Sequence, residues 1–71
     1  MIKITHLTNS AYENIIDTLG PEAVSGDSEE LFLKDNGGFT TINHPQADII
    51  LSYDKACVMV SREDFYEAVI L

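Results

Sequence analysis

Cations are scarce in this chain. Lys3, Lys34, Lys55 and Arg62 stand against twelve aspartates and glutamates, a formal net charge of −8 over 71 residues. Scattered singly, these four make no basic patch. Lysine and arginine supply most of the affinity for phosphate backbones and anionic headgroups, so direct nucleic-acid binding and adsorption to an anionic membrane are not expected. There is no tryptophan and only one cysteine, Cys57. A single thiol cannot form an internal disulfide, and within the apolar stretch 56–60 it reads as a small buried hydrophobe; a reducing, cytoplasmic setting is the expectation. Long apolar runs are missing too. The run 47–51 is broken by Asp48 and falls far short of the ~20 residues that a membrane-spanning helix requires. Residues 1–6 lack the basic start and apolar core of a secretory signal.

The signatures of catalysis are equally sparse. The chain has no Gly-x-Ser-x-Gly elbow and no glycine-rich phosphate cradle. His6, His44 and Cys57, the potential metal ligands, lie more than ten residues apart without a paired spacing, and residues 27–30 carry too few regularly placed oxygens for a calcium loop. Glu29-Glu30 and Glu63-Asp64 read as solvated pairs, not as carboxylates whose environments split their acidities. A chain this short also has little room for a deep pocket beside its core. The expectation is a protein with no catalytic residue, no metal and no cofactor.

What is present is a small folded domain. Apolar content of 45% argues against disorder despite the charge, and 71 residues allow one domain, an acidic α+β unit over 1–71. Ile2, Ile4 and their polar neighbours alternate as a half-buried strand does. Ala11, Ile15, Ile16 and Leu19 recur at helical spacing, Gly20-Pro21 stops the helix, and the start is either a Ser10–Glu13 capping box or Thr8. Residues 21–28 read as a loop, with one helical turn at Glu22-Ala23-Val24 as an option. The runs 31–34 and 39–42 flank Asn36-Gly37 and predict a hairpin. His44-Pro45 ends the second of these. Residues 47–53, with Ile49-Ile50-Leu51 contiguous, predict a mid-sheet strand covered on both faces, and Asp54-Lys55 turns the chain into a strand over 56–60. Ser61 to Asp64 then caps a second helix that buries Phe65, Ala68 and Val69. The predicted order is β-α-β-β-β-β-α, an antiparallel sheet of four to five strands carrying two helices. Val69-Ile70-Leu71 must pack on the sheet or on a neighbouring chain.

The acids carry the functional expectation. Glu13 and Asp17 fall at i,i+4 on the first helix, and Glu63 and Glu67 do so on the predicted last one. Like charges at that spacing cost a helix a few tenths of a kcal/mol, about 0.2–0.5 per pair. First-turn acids are compensated by the helix dipole, which covers Glu13, Glu63 and Asp64 but not Asp17 or Glu67. Glu29 and Glu30 add to this surface, and Tyr66, between Glu63 and Glu67, is a candidate aromatic anchor, with burial in the core as the equal alternative. Such a face suits a basic partner surface, a nucleic-acid-binding groove included, although solvated charge kept for solubility explains the same composition. In size and charge alone the chain resembles the small acidic inhibitors of phages and mobile elements, among them anti-CRISPR proteins and DNA mimics. That resemblance implies a protein-binding inhibitor, monomeric or weakly dimeric, and assigns no residue a role. Two alternatives belong to other classes: a self-associating structural or assembly module, and a regulatory or immunity-type protein whose partner is not basic.

Overall fold

The computed structural model describes residues 1–34, 37–41 and 48–71, with 37–41 as backbone alone. It is an α+β arrangement of two antiparallel sheets and one α-helix, with a single hydrophobic core. The first sheet has the order β2-β3-β1-β7 and the second the order β4-β5-β6.

Strand β1 (Ile2–Thr5) keeps its predicted alternation: Ile2 and Ile4 are buried, and Lys3 and Thr5 face outward half-buried. Helix α1 (Asn9–Leu19) buries Ala11, Ile15 and Leu19, successive i,i+4 positions on one stripe. Of the two N-caps the sequence allows, Thr8 is the one used: its Oγ1 accepts from the Ala11 amide at 3.3 Å. At the other end Gly20 adopts φ +93°, and its N–H returns to the Ile16 carbonyl. The predicted loop over 21–28 is more ordered than expected. Pro21–Ala23 forms a 3-10 turn and Val24–Gly26 forms β2, which pairs with β3 (Glu30–Leu33). The turn between them depends on Gly26 at φ +90°, where a Cβ would collide with the Glu30 carbonyl, and on the Asp27 carboxylate, which accepts from the Glu29 and Glu30 amides.

The predicted hairpin around Asn36-Gly37 does not form. β3 pairs with β1 and β2, whereas β4 (Gly37–Thr41) pairs with β5 (Ile49–Tyr53) in the other sheet. Gly37 and Gly38 lie within a strand, and Asp35, Asn36, Ile42, His44, Pro45 and Ala47 lie outside the described residues. A true two-residue hairpin joins β5 to β6 (Ala56–Val60), with Asp54 at φ +57° in its turn, as the Asp54-Lys55 pair predicts. β5 is indeed central in its sheet, but only one of its faces is covered. Ile49 and Leu51 point into the core, while Ile50 stands out beside Met59 of β6. Cys57 shares that outer phase and is exposed, correcting the expectation of a buried thiol.

The largest correction concerns the C-terminal segment. No second helix forms. Arg62–Asp64 makes one 3-10 turn, and Glu67–Ile70 is a strand, β7, paired antiparallel to β1. The Phe65, Ala68, Val69 stripe is therefore not a helical face: Phe65 is buried before the strand begins, and Ala68 and Val69 point to opposite sides of the sheet. β1 offers an unpaired edge on the side away from β3, and the ladder it provides outweighs the weak helical pattern of the segment. The chain thus has one helix and seven strands among the described residues, against the two helices and five strands expected.

Both sheets and α1 contribute to the core. Ile4, Ile15, Leu31, Leu33 and Leu51 are its most fully enclosed large side chains, drawn from β1, α1, β3 and β5. α1 lies close along β6, leaving more space on its β2 side. No helix among the described residues is long and apolar enough to cross a membrane.

Candidate functional site

Residues 5–8, where the chain leaves β1 for α1, are held between two acidic segments. On one side the His6 and Leu7 amides donate to the carbonyls of Glu29 and Ser28, at 2.9 and 2.7 Å. On the other, the Thr8 amide donates to the Asp64 carbonyl and the Tyr66 amide to the Thr5 carbonyl, both at 2.9 Å. His6 takes φ +52°, a left-handed conformation that breaks the strand and sends the chain toward the helix. These bonds gather Asp27, Glu29, Glu30, Glu63, Asp64 and Glu67 around one end of the first sheet.

Strand register orders the middle of this cluster. Thr5 is the direct partner of Glu30 on β3 and of Glu67 on β7, so the row across the sheet runs Glu30, Thr5, Glu67. Residues directly opposite in an antiparallel pair project to the same face. Two carboxylates therefore flank one threonine on the outer side. Tyr66, two-thirds exposed, lies just before Glu67 in the chain, with its ring edge-to-face against His6 at 5.9 Å.

Two cations lie close by. Lys3 occupies the same outer face one row along, opposite Phe32 and Val69. Arg62 is occupied within the fold: its guanidinium donates to the Phe65 and Tyr66 carbonyls, at 2.8 Å each, and lies 4.5 Å over the Phe65 ring. Its own amide donates to the Asp48 carboxylate at 2.9 Å. The carboxylates of Glu29, Glu30, Glu63 and Glu67 make no hydrogen bond or ion pair with another described residue. Their charge is turned outward.

Glu13 and Asp17 form a separate feature. They line an open cleft of about 380 Å³ between α1 and β2, with Tyr12, Ile16, Pro21 and Val24. Because Thr8 caps the helix, Glu13 lies beyond the first turn, which contains no acid. Helix-dipole compensation, expected for Glu13 from the sequence, therefore fails for it as it does for Asp17.

Of the seven residues singled out from the sequence, the structure brings Glu29, Glu30, Tyr66 and Glu67 together, with Glu63 beside them, and sets Glu13 and Asp17 on the neighbouring helix. The predicted i,i+4 stacking of Glu63 with Glu67 does not occur; Glu67 is instead a cross-strand neighbour of Thr5. Sequence reasoning missed Thr5 and His6, whose importance lies in a register that no local pattern encodes. Among the described residues, no three His, Cys, Asp or Glu side chains converge as a metal-binding group. In comparisons with known proteins, neither a family model, nor a curated protein, nor a solved structure matches this chain.

Proposed function

We propose that this chain is a non-catalytic binding protein of the cytoplasm that docks on a basic protein surface and blocks it. The groove of a nucleic-acid-handling partner is the kind of surface it suits. The supporting observation is the row Glu30, Thr5, Glu67, assembled from three distant segments and carrying no internal ion pair, with the exposed Tyr66 next to Glu67 in the chain. Outward carboxylates accept from a lysine or arginine of the partner, and an arginine plane can in addition stack on the exposed Tyr66 ring. Uncompensated charge of one sign also speeds encounter with a partner of the other. This is the class of action of the acidic inhibitors that the chain resembles in size and charge.

The test is capture of proteins from lysate at low and high salt, comparing the wild type with the double variant Glu30→Lys, Glu67→Lys. Captured partners should be basic, should release steeply as salt rises, because exposed charges are screened beyond about 8 Å at physiological ionic strength, and should be lost on the variant. Capture that ignores both salt and charge reversal refutes the proposal.

One observation favours self-association as a second reading. β7 is an edge strand, and Ile70 and Leu71 beside it are 72% and 64% exposed, so the apolar end expected to be packed is held by its backbone but keeps its side chains in solvent. Sedimentation at two concentrations decides this: a monomer at both removes it.

A further inference from the structure

We infer that the cleft between α1 and β2 receives an extended segment of the partner, one bearing lysine or arginine at alternate positions, which adds to β2 as a further strand. The inference rests on the basic-partner reading only for the sign of the charge.

β2 is the outermost strand of its sheet. The ladder joining it to β3 is bracketed by Lys34 N–H donating to the Ala23 carbonyl and Asp27 N–H donating to the Glu30 carbonyl. Hydrogen-bonded pairs in an antiparallel ladder alternate, so Ser25 faces Phe32, and the N–H and C=O groups of Val24 and Gly26 point away from β3. Among the described residues nothing pairs with them. An unpaired strand edge is a template for one more strand, lying about 4.8 Å away.

Beyond that edge the floor and far wall of the cleft come from α1. Tyr12 and Ile16 are half-buried, and Glu13 and Asp17 are exposed along its rim. A strand added to β2 points every second side chain toward this wall. A lysine or arginine there lays its aliphatic stem along Tyr12 and Ile16 and carries its charge to Glu13 or Asp17. Backbone pairing with apolar pockets for alternate side chains is a general mode of peptide recognition. Here the two carboxylates select the sign of those side chains, and the like-charge spacing that burdens the isolated helix is relieved by a cation between them.

The probe is a seven-residue capped peptide alternating threonine and lysine, titrated into the 15N-labelled protein at low salt. Two derivatives are N-methylated at every other amide, one in each phase. Shifts should centre on Val24, Gly26 and residues 12–17, and the Val24 and Gly26 amides should exchange with solvent at least tenfold more slowly at saturation. One N-methylated phase should bind like the parent, and the other should lose at least tenfold. Glu13→Gln with Asp17→Asn should weaken the parent peptide about three- to tenfold, and a glutamate version of the peptide should not bind. Equal binding of both N-methylated phases, with shifts centred on Glu29, Glu30 and Glu67, overturns the cleft inference and leaves the acidic-surface reading standing. Absence of any shift at low salt overturns it too. The broader reading is judged separately, by charge reversal at Glu30 and Glu67.

Discussion

Replacing Thr5 with lysine places a cation between Glu30 and Glu67, its direct cross-strand partners on β3 and β7. Opposite-charge pairs at directly facing positions contribute roughly 0.2–1 kcal/mol each, so two pairs give about 0.4–2 kcal/mol at low salt. Against this stand the loss of a β-branched residue from a strand and of the 3.4 Å contact from Thr5 Oγ1 to the Glu67 carbonyl, together a few tenths of a kcal/mol and up to about 1. Thr5→Gln makes the same sacrifices without the charge, so the difference between the two variants isolates the electrostatic part. For a domain of this size 1 kcal/mol moves the melting temperature by about 4–8 °C. Thr5→Lys should therefore melt roughly 2–16 °C above Thr5→Gln at low salt, with most of the gap closing at high salt as the exposed charges are screened. Thermal unfolding followed by circular dichroism at both ionic strengths measures it. Identical melting of the two variants at low salt would mean that the glutamates do not flank Thr5, and the functional row proposed above would go with them.

Thr8→Ala should cost about 1 kcal/mol, since it removes the cap of α1, whereas Ser10→Ala should cost less than about 0.5; urea midpoints distinguish the two caps that the sequence left open. Gly26→Ala should destabilise clearly more than Gly20→Ala. Both glycines hold positive φ, but an alanine Cβ at 26 also meets the Glu30 carbonyl and one at 20 meets nothing, a contrast read by the same unfolding measurement. Arg62→Lys should loosen the lead-in to β7, because lysine cannot fork to the Phe65 and Tyr66 carbonyls while lying over the Phe65 ring. Faster amide exchange confined to residues 65–70 is the expected outcome; unchanged exchange there would refute that role for Arg62.

Local chemistry is legible in this chain wherever the structure depends on near neighbours. The stripe Ala11, Ile15, Leu19 and the stop at Gly20 specify α1, and the alternation of Ile2 and Ile4 specifies β1. Asp54-Lys55 marks a tight turn with partners immediately on either side. Legibility fails where the partner is remote. The run 31–34 is a strand as predicted, but it pairs with β1 and β2 instead of the run beyond Asn36-Gly37, because sheet membership is a choice among several edges of similar appeal. In the segment 65–70, Phe65, Ala68 and Val69 satisfy a helical spacing that Val69 and Ile70, both β-branched, contradict. The pairing of Ile2 with Ile70 decides between them. The acidic surface divides the same way: Glu13 and Asp17 announce themselves by spacing, but the meeting of Glu30 with Glu67 across Thr5 is a product of topology.

The position of β1 between β3 and β7 has a consequence for biosynthesis. Its outer edge stays bare until Glu67–Ile70 has left the ribosome, so the first sheet cannot close before that point in synthesis. Pairings that join positions so far apart in sequence form slowly. A nascent chain therefore carries an open, sticky flank until β7 emerges, and its high negative charge is well placed to hold neighbouring copies apart during that interval.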